Sequence, residues 1–197
     1  MIDDLGYEIQ GEGKTVGVPC YFVDLDKVKG TFEEIKDWLS DLNFYDNIKK
    51  SAHLVIRGDY NFKYDTKGLI IHLKGNLKHL VVEVETNGEN IPPKELVYDV
   101  DYWNVMPTKF NSKSLLWYRN NPKAIFKFEI EDENHWDDIN SKYIIPLNIN
   151  HRKVFIMPKG DRVEYLDNHK IVTSIALANG VRFSSRLQKI NTSFFTE

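Results

Sequence analysis

Short apolar runs alternate along the chain with longer amphipathic stretches, and the two periods predict different elements. Residues 20–23, Cys-Tyr-Phe-Val, follow a Gly-Val-Pro turn signal and read as a buried strand. A helix is predicted from Gly30: Thr31 is placed to cap it, and Glu34 sits where a capping box needs an acid. Ile35, Trp38, Leu39 and Leu42 then recur at helical spacing. Residues 53–56 form a second strand closed by Arg57-Gly58-Asp59, and residues 64–75 suit a helix carrying Leu69, Ile70 and Leu73. Residues 80–84 give a third strand, stopped by Thr86-Asn87-Gly88, and residues 101–105 a fourth, ending at Met106-Pro107. Residues 124–128 give a fifth, followed by an acidic, helix-compatible stretch with Trp136 and Ile139. Residues 154–157 make a sixth, ending at Pro158. A helix over 167–178 closes at Asn179-Gly180, and residues 181–183 would add one short strand.

A strand, a helix and another strand at intervals of about 20 to 30 residues is the signature of parallel βα units. About six units are too few for a closed eight-stranded barrel. The expected fold is therefore α/β, an incomplete (βα) barrel or a doubly wound sheet. No Gly/Ser- or Pro-rich linker divides the chain, so residues 1–197 are expected to form one domain. In either architecture ligands lie at the C-terminal ends of the strands. That rule selects residues 24–30, 57–61, 85–88, 106–110 and 158–161 as one mouth, with Gln10-Gly11-Glu12-Gly13 able to reach it.

Composition narrows the function classes. With 42% hydrophobic residues there is material for a real core. The net charge of -3, from 26 Lys+Arg against 29 Asp+Glu, removes the phosphate-neutralising drive of a general nucleic-acid binder. No apolar run reaches the roughly 18 residues of a membrane span, and the first residues have neither a basic nor an apolar leader character. A cytoplasmic protein is expected. Cys20 is the one cysteine, which excludes an intramolecular disulfide and a zinc site of several thiolates. The six histidines form no HxH, HxxxH or HExxH pair, and no P-loop, GxSxG or dinucleotide glycine fingerprint occurs. Numerous aromatics, including Trp103, Trp117, Tyr118 and Trp136, supply the core. Phe194-Phe195 are placed to cover the open side of a partial barrel or to meet a partner.

Residues 6–23, GYEIQGEGKTVGVPCYFV, resemble the opening of the 7-carboxy-7-deazaguanine synthases, radical S-adenosylmethionine (SAM) enzymes of queuosine and 7-deazaguanine metabolism. Later segments match that family in order. Leu54 to Asp59 falls where its members have a strand ending in Gly-Gly-Glu-Pro, and Glu85-Thr86-Asn87-Gly88 is similar to their Glu-Thr-Asn-Gly. Val105 to Lys109 resembles a Val-Ser-Pro-Lys segment, Lys127-Phe128 a Lys-Phe strand, and residues 155–158 a late strand ending in proline. Arg186-Leu187-Gln188 resembles the Arg-Leu-Gln or Arg-Leu-His near the family's C-terminus. The resemblance covers nearly the whole chain and implies a radical-SAM-like partial barrel of about six parallel units.

The departures bear on function. Where the family has a loop with closely spaced cysteines that bind a 4Fe–4S cluster, this chain has Asp24-Leu25-Asp26-Lys27-Val28-Lys29-Gly30. The threonine associated with magnesium is missing with it. Gly-Gly-Glu-Pro, which helps hold the SAM amino group, has become Arg57-Gly58-Asp59-Tyr60, and the family's substrate-contacting arginine corresponds to Asp24. Cys20 precedes the loop and cannot replace its thiolates. The resemblance therefore implies that both the cluster and SAM are lost, leaving no cofactor, no metal and no catalytic residue.

The retained ligand set expected from it is Gln10, Gly11, Glu12, Gly13, Glu85, Thr86, Asn87, Lys109, Arg186 and Gln188, with Asp24, Arg57, Gly58 and Asp59 as altered sites. Each has a plainer reading. Gln10 to Gly13 also makes a turn, Asn87-Gly88 suits positive φ, and a lysine such as Lys109 is usually solvated. The expected function is that of a cluster-free, non-catalytic derivative that binds a protein partner or a nucleotide- or deazapurine-like ligand. A phage accessory or regulatory role, and a homodimer, fall within that expectation. The alternative is an enzyme of 7-deazaguanine metabolism using the same pocket, either by non-radical chemistry or as a loop-deleted synthase.

Overall fold

In the computed structural model, residues 5–25, 53–58, 66–160 and 162–190 are described. The helix expected after Gly30, as well as Asp59 and Phe194-Phe195, lies outside them. The described strands are β1 (Leu5–Ile9), β2 (Pro19–Asp24), β3 (His53–Arg57), β4 (Val81–Thr86), β5 (Tyr102–Val105), β6 (Ala124–Ile130), β7 (Val154–Pro158) and β8 (Arg182–Phe183). They form one eight-stranded sheet in sequential order. β1 pairs antiparallel to β2, and every later neighbour is parallel.

Sequential order decides between the two expected architectures. A doubly wound sheet reverses its order at a switch point, whereas a run of right-handed crossovers in one direction keeps every helix on one face. Leu69, Ile70 and Leu73 of helix Thr66–Asn76, Leu115 and Tyr118 of Ser112–Asn120, Trp136 of Glu133–Ile139, and Val172, Ile175 and Ala176 of Arg162–Asn179 share one core cluster. From the sheet that cluster takes Tyr21 and Val23, Leu54 and Ile56, Val82 and Val84, Trp103 and Val105, and Phe126 and Phe128, alternate residues of successive strands. The other set of alternate residues faces inward, where Cys20, Phe22 and Val55 make a small apolar cluster of their own.

β1 and β8 are not paired, so the barrel is open. The chain after β1 crosses the gap. The Leu187 amide donates to the Gly11 carbonyl at 2.9 Å, and the Gly13 amide to Ser184 Oγ at 2.7 Å. Residues 10–15 thus form a strap between the two edges, which holds the sheet curled.

Three features differ from the sequence reading. β1 was not among the expected strands, because Gly6 and the exposed Tyr7, Glu8 and Ile9 give no apolar alternation. Helix Ser112–Asn120 was not expected either: its apolar residues are consecutive, and its signal is the cap, Asn111 Oδ1 accepting from the Ser114 amide at 3.5 Å. Helix Arg162–Asn179 begins five residues before the predicted 167, since Val163 and Leu166 in its first turns are exposed and mark no buried face.

Candidate ligand site at the strand ends

The inward residues at the C-terminal ends of the strands meet around a cavity of about 510 Å3. β2 and β3 contribute Asp24 and Arg57, β4 contributes Glu85, β5 contributes Asn104, and β6 contributes Lys127 and Glu129. Period-2 alternation places these side chains opposite the helix-facing core residues. Thr86, Asn87, Met106 and Thr108 line it from the following loops, Gly58 from the end of β3, Glu12 from the strap and Arg186 from beyond β8.

Lys127 organises the charge. Its side chain is 3% exposed, and Nζ donates to Glu12 Oε2 at 3.0 Å and to Glu85 Oε1 at 2.9 Å. Glu85 also accepts from Arg57 Nε at 2.7 Å, and the Arg57 guanidinium lies 4.0 Å from the centre of the Phe22 ring. Burial alone would raise the Glu85 carboxyl. The Lys127 and Arg57 cations outweigh that and hold it at about 2. Burial likewise disfavours the Lys127 ammonium, but Glu85 and Glu12 more than offset it, so its pKa is raised. On the far wall Arg186 pairs with Glu129 at 2.9 Å.

Beneath this layer lies a polar cluster that the sequence reading did not anticipate. Glu83 is fully buried and accepts from Gln10 Nε2 at 2.9 Å, Thr15 Oγ1 at 2.5 Å and Asn104 Nδ2, while His53 Nε2 lies 3.1 Å from its Oε2. A glutamate within an apolar strand buried on both faces must find partners inside the barrel, which was the available signal. Where the strap enters this layer Gly13 has φ 80, a left-handed backbone conformation that favours glycine. Lys127, Asn104 and Ile125 stand in ordinary contact range of the position a Cβ would take, so the constraint is the backbone and not the space.

The expected site residues are placed as follows. Glu12, Glu85, Thr86, Asn87 and Arg186 line the cavity with Asp24, Arg57 and Gly58. Gln10, Gly11 and Gly13 do not; they fasten the strap through Glu83, Leu187 and Ser184. Thr86 and Asn87 also make the local turn, accepting from the Gly88 and Glu89 amides. Lys109 stands apart, largely exposed and paired with Glu89 at 3.3 Å. Gln188 is on helix Leu187–Ile190, with its side chain outside what is described.

No family model matches the chain. Over 198 aligned residues it is 26% identical to a 7-carboxy-7-deazaguanine synthase from Pyrobaculum aerophilum, covering 91% of this chain and 88% of that protein. That similarity runs over most of both chains. Its fold agrees with the crystal structure of QueE from Escherichia coli, at a TM-score of 0.60 and 16% identity over 93% of this chain and 92% of that one.

The iron–sulfur cluster that the resemblance implies does not fit the donors present. Cys20, the one cysteine in the sequence, is 0% exposed and packs against Phe22 and Val55. It lies four residues before the mouth residue Asp24, roughly 13 Å along the strand. Burial, with Glu83 adding to it, pushes its thiol up to about 12, far from the thiolate a cluster needs. Among the described residues, no group of three His, Cys, Asp or Glu side chains is placed to hold a metal ion. No described helix is long and apolar enough to cross a membrane.

Proposed function

We propose that this chain is a cluster-free derivative of the 7-carboxy-7-deazaguanine synthase scaffold that acts by binding, with a 7-deazapurine-like ligand held in the strand-end cavity. The observation that carries the reading is a charged, preorganised cavity in a chain whose one thiol is out of its reach. A cavity of about 510 Å3 is within the range used for small-molecule sites. The carboxylates of Glu12 and Glu85 supply acceptors for the N–H edge of a guanine-like ring, and Arg186 supplies a cation for an acidic substituent. These charges are held by one another and by buried partners, so a ligand meets a site that needs little ordering.

Titration calorimetry with 7-carboxy-7-deazaguanine, alongside anaerobic iron–sulfur reconstitution, tests this. Micromolar binding and no stoichiometric iron are expected. Silence at millimolar ligand would remove the binding site. A full complement of cluster iron, with 5′-deoxyadenosine released from SAM on reduction, would make the chain a working synthase.

A further inference from the structure

We infer that Asn104 is a specificity-determining residue of this cavity, reading an exocyclic amino group of the ligand, and that Glu83 is the positioning residue that fixes which of its amide atoms does so. The inference rests on the binding function proposed above and names a donor that the ligand must carry.

Asn104 lines the cavity and is 1% exposed. Its Nδ2 is committed to Glu83 Oε1, whereas Oδ1 is buried with no hydrogen-bond partner among the described residues. An unpaired buried acceptor costs about 1–3 kcal/mol, which is why such atoms are rare away from sites that a ligand or water completes. An asparagine free to turn would present either an acceptor or a donor. This one is not free: a carboxylate receives its NH2, and Gln10, Thr15 and His53 hold that carboxylate in place. The cavity therefore offers a fixed acceptor at this point. Oδ1 is shielded from solvent, so a ligand reaches it only as its neighbours give way slightly, which a small protruding amino group demands less of than a ring N–H. Arg186 Nε, on the same cavity, is the complementary case, a buried donor without a partner among the described residues. The ligand so specified carries an amino group at one end and an acceptor or carboxylate at the other.

The test is a ratio of affinities for 7-deazaguanine and 7-deazahypoxanthine, which differ in the exocyclic amino group. The wild-type chain is expected to prefer 7-deazaguanine by about tenfold or more. Asn104→Leu should abolish the preference while retaining the weaker ligand. Glu83→Gln should reduce it, because a neutral amide no longer dictates the Asn104 orientation. A purely structural role for either residue would lower both affinities together and leave the ratio unchanged. Equal wild-type affinities, or a preference that survives in Asn104→Leu, would overturn the inference and leave the binding function standing. If neither compound binds at millimolar concentration, both fall. The wild-type ratio needs no variant, and Asn104→Val, which also lacks an acceptor, replaces Asn104→Leu should the latter not fold.

Discussion

At the scale of the residue, Lys127 is the charge on which the cavity depends. Lys127→Met would leave Glu12 and Glu85 without their common cation inside the barrel, and removing one partner of a buried pair costs about 3–5 kcal/mol. Urea unfolding at neutral pH should show that loss, and adding Glu85→Gln should restore part of it, since the two residues are coupled. A loss below about 1 kcal/mol would mean that the lysine is not the organising charge. Glu85 sets the acid limit. Its folded pKa is depressed from 4.5 to about 2, so in acid the unfolded chain takes up the proton first. The stability it contributes is complete above the unfolded value and is lost as pH falls through that window, at most about 3 kcal/mol. Unfolding free energies of wild type and Glu85→Gln, measured from pH 6 downwards, should therefore converge as the pH approaches about 2; a constant gap would contradict the assignment.

At the scale of the element, β4 and its turn show what was legible in sequence and what was not. Asn87-Gly88 was readable as a turn from residue type, and the geometry supplies the reason: Gly88 has φ 72, and an added Cβ would stand 2.7 Å from Val105 Cγ1 and 2.9 Å from Leu115 Cδ2. Gly88→Ala incurs both backbone strain and a clash with the core, so a loss of about 2 kcal/mol or more is expected in chemical denaturation. A neutral effect would show that the turn can relax away from helix Ser112–Asn120. The parallel strands were legible because burial on both faces leaves short apolar runs bounded by turn residues. The polar interior was less so. Glu83, His53 and Asn104 each occupy a strand, but nothing local says that three strands and the strap bring them to one point; that follows from register, with Val55 opposite Glu83 and Glu85 opposite Asn104. Lys127 was legible as part of a motif and not as the centre of a charge network, because its partners lie 115 and 42 residues away.

At the scale of the molecule, the strap turns an open sheet into a closed interior, and the state of Cys20 reports on it. The thiol sits on the concave face, 0% exposed, and its pKa is pushed from 9.0 to about 12. Near pH 8 that shift alone leaves roughly a thousandfold less thiolate than an ordinary cysteine has, and burial adds a requirement for opening before any reagent arrives. In native buffer, alkylation of Cys20 by a maleimide should therefore be slower by several orders of magnitude than in denaturant. At intermediate urea the rate should follow the fraction unfolded. Ser184→Ala removes the hydroxyl that anchors Gly13 and should raise the native rate more than it lowers global stability, because it loosens the strap without touching the helix-facing core. Rapid labelling of the folded wild type would show the interior open and this thiol within reach of metal ions as well as of alkylating agents.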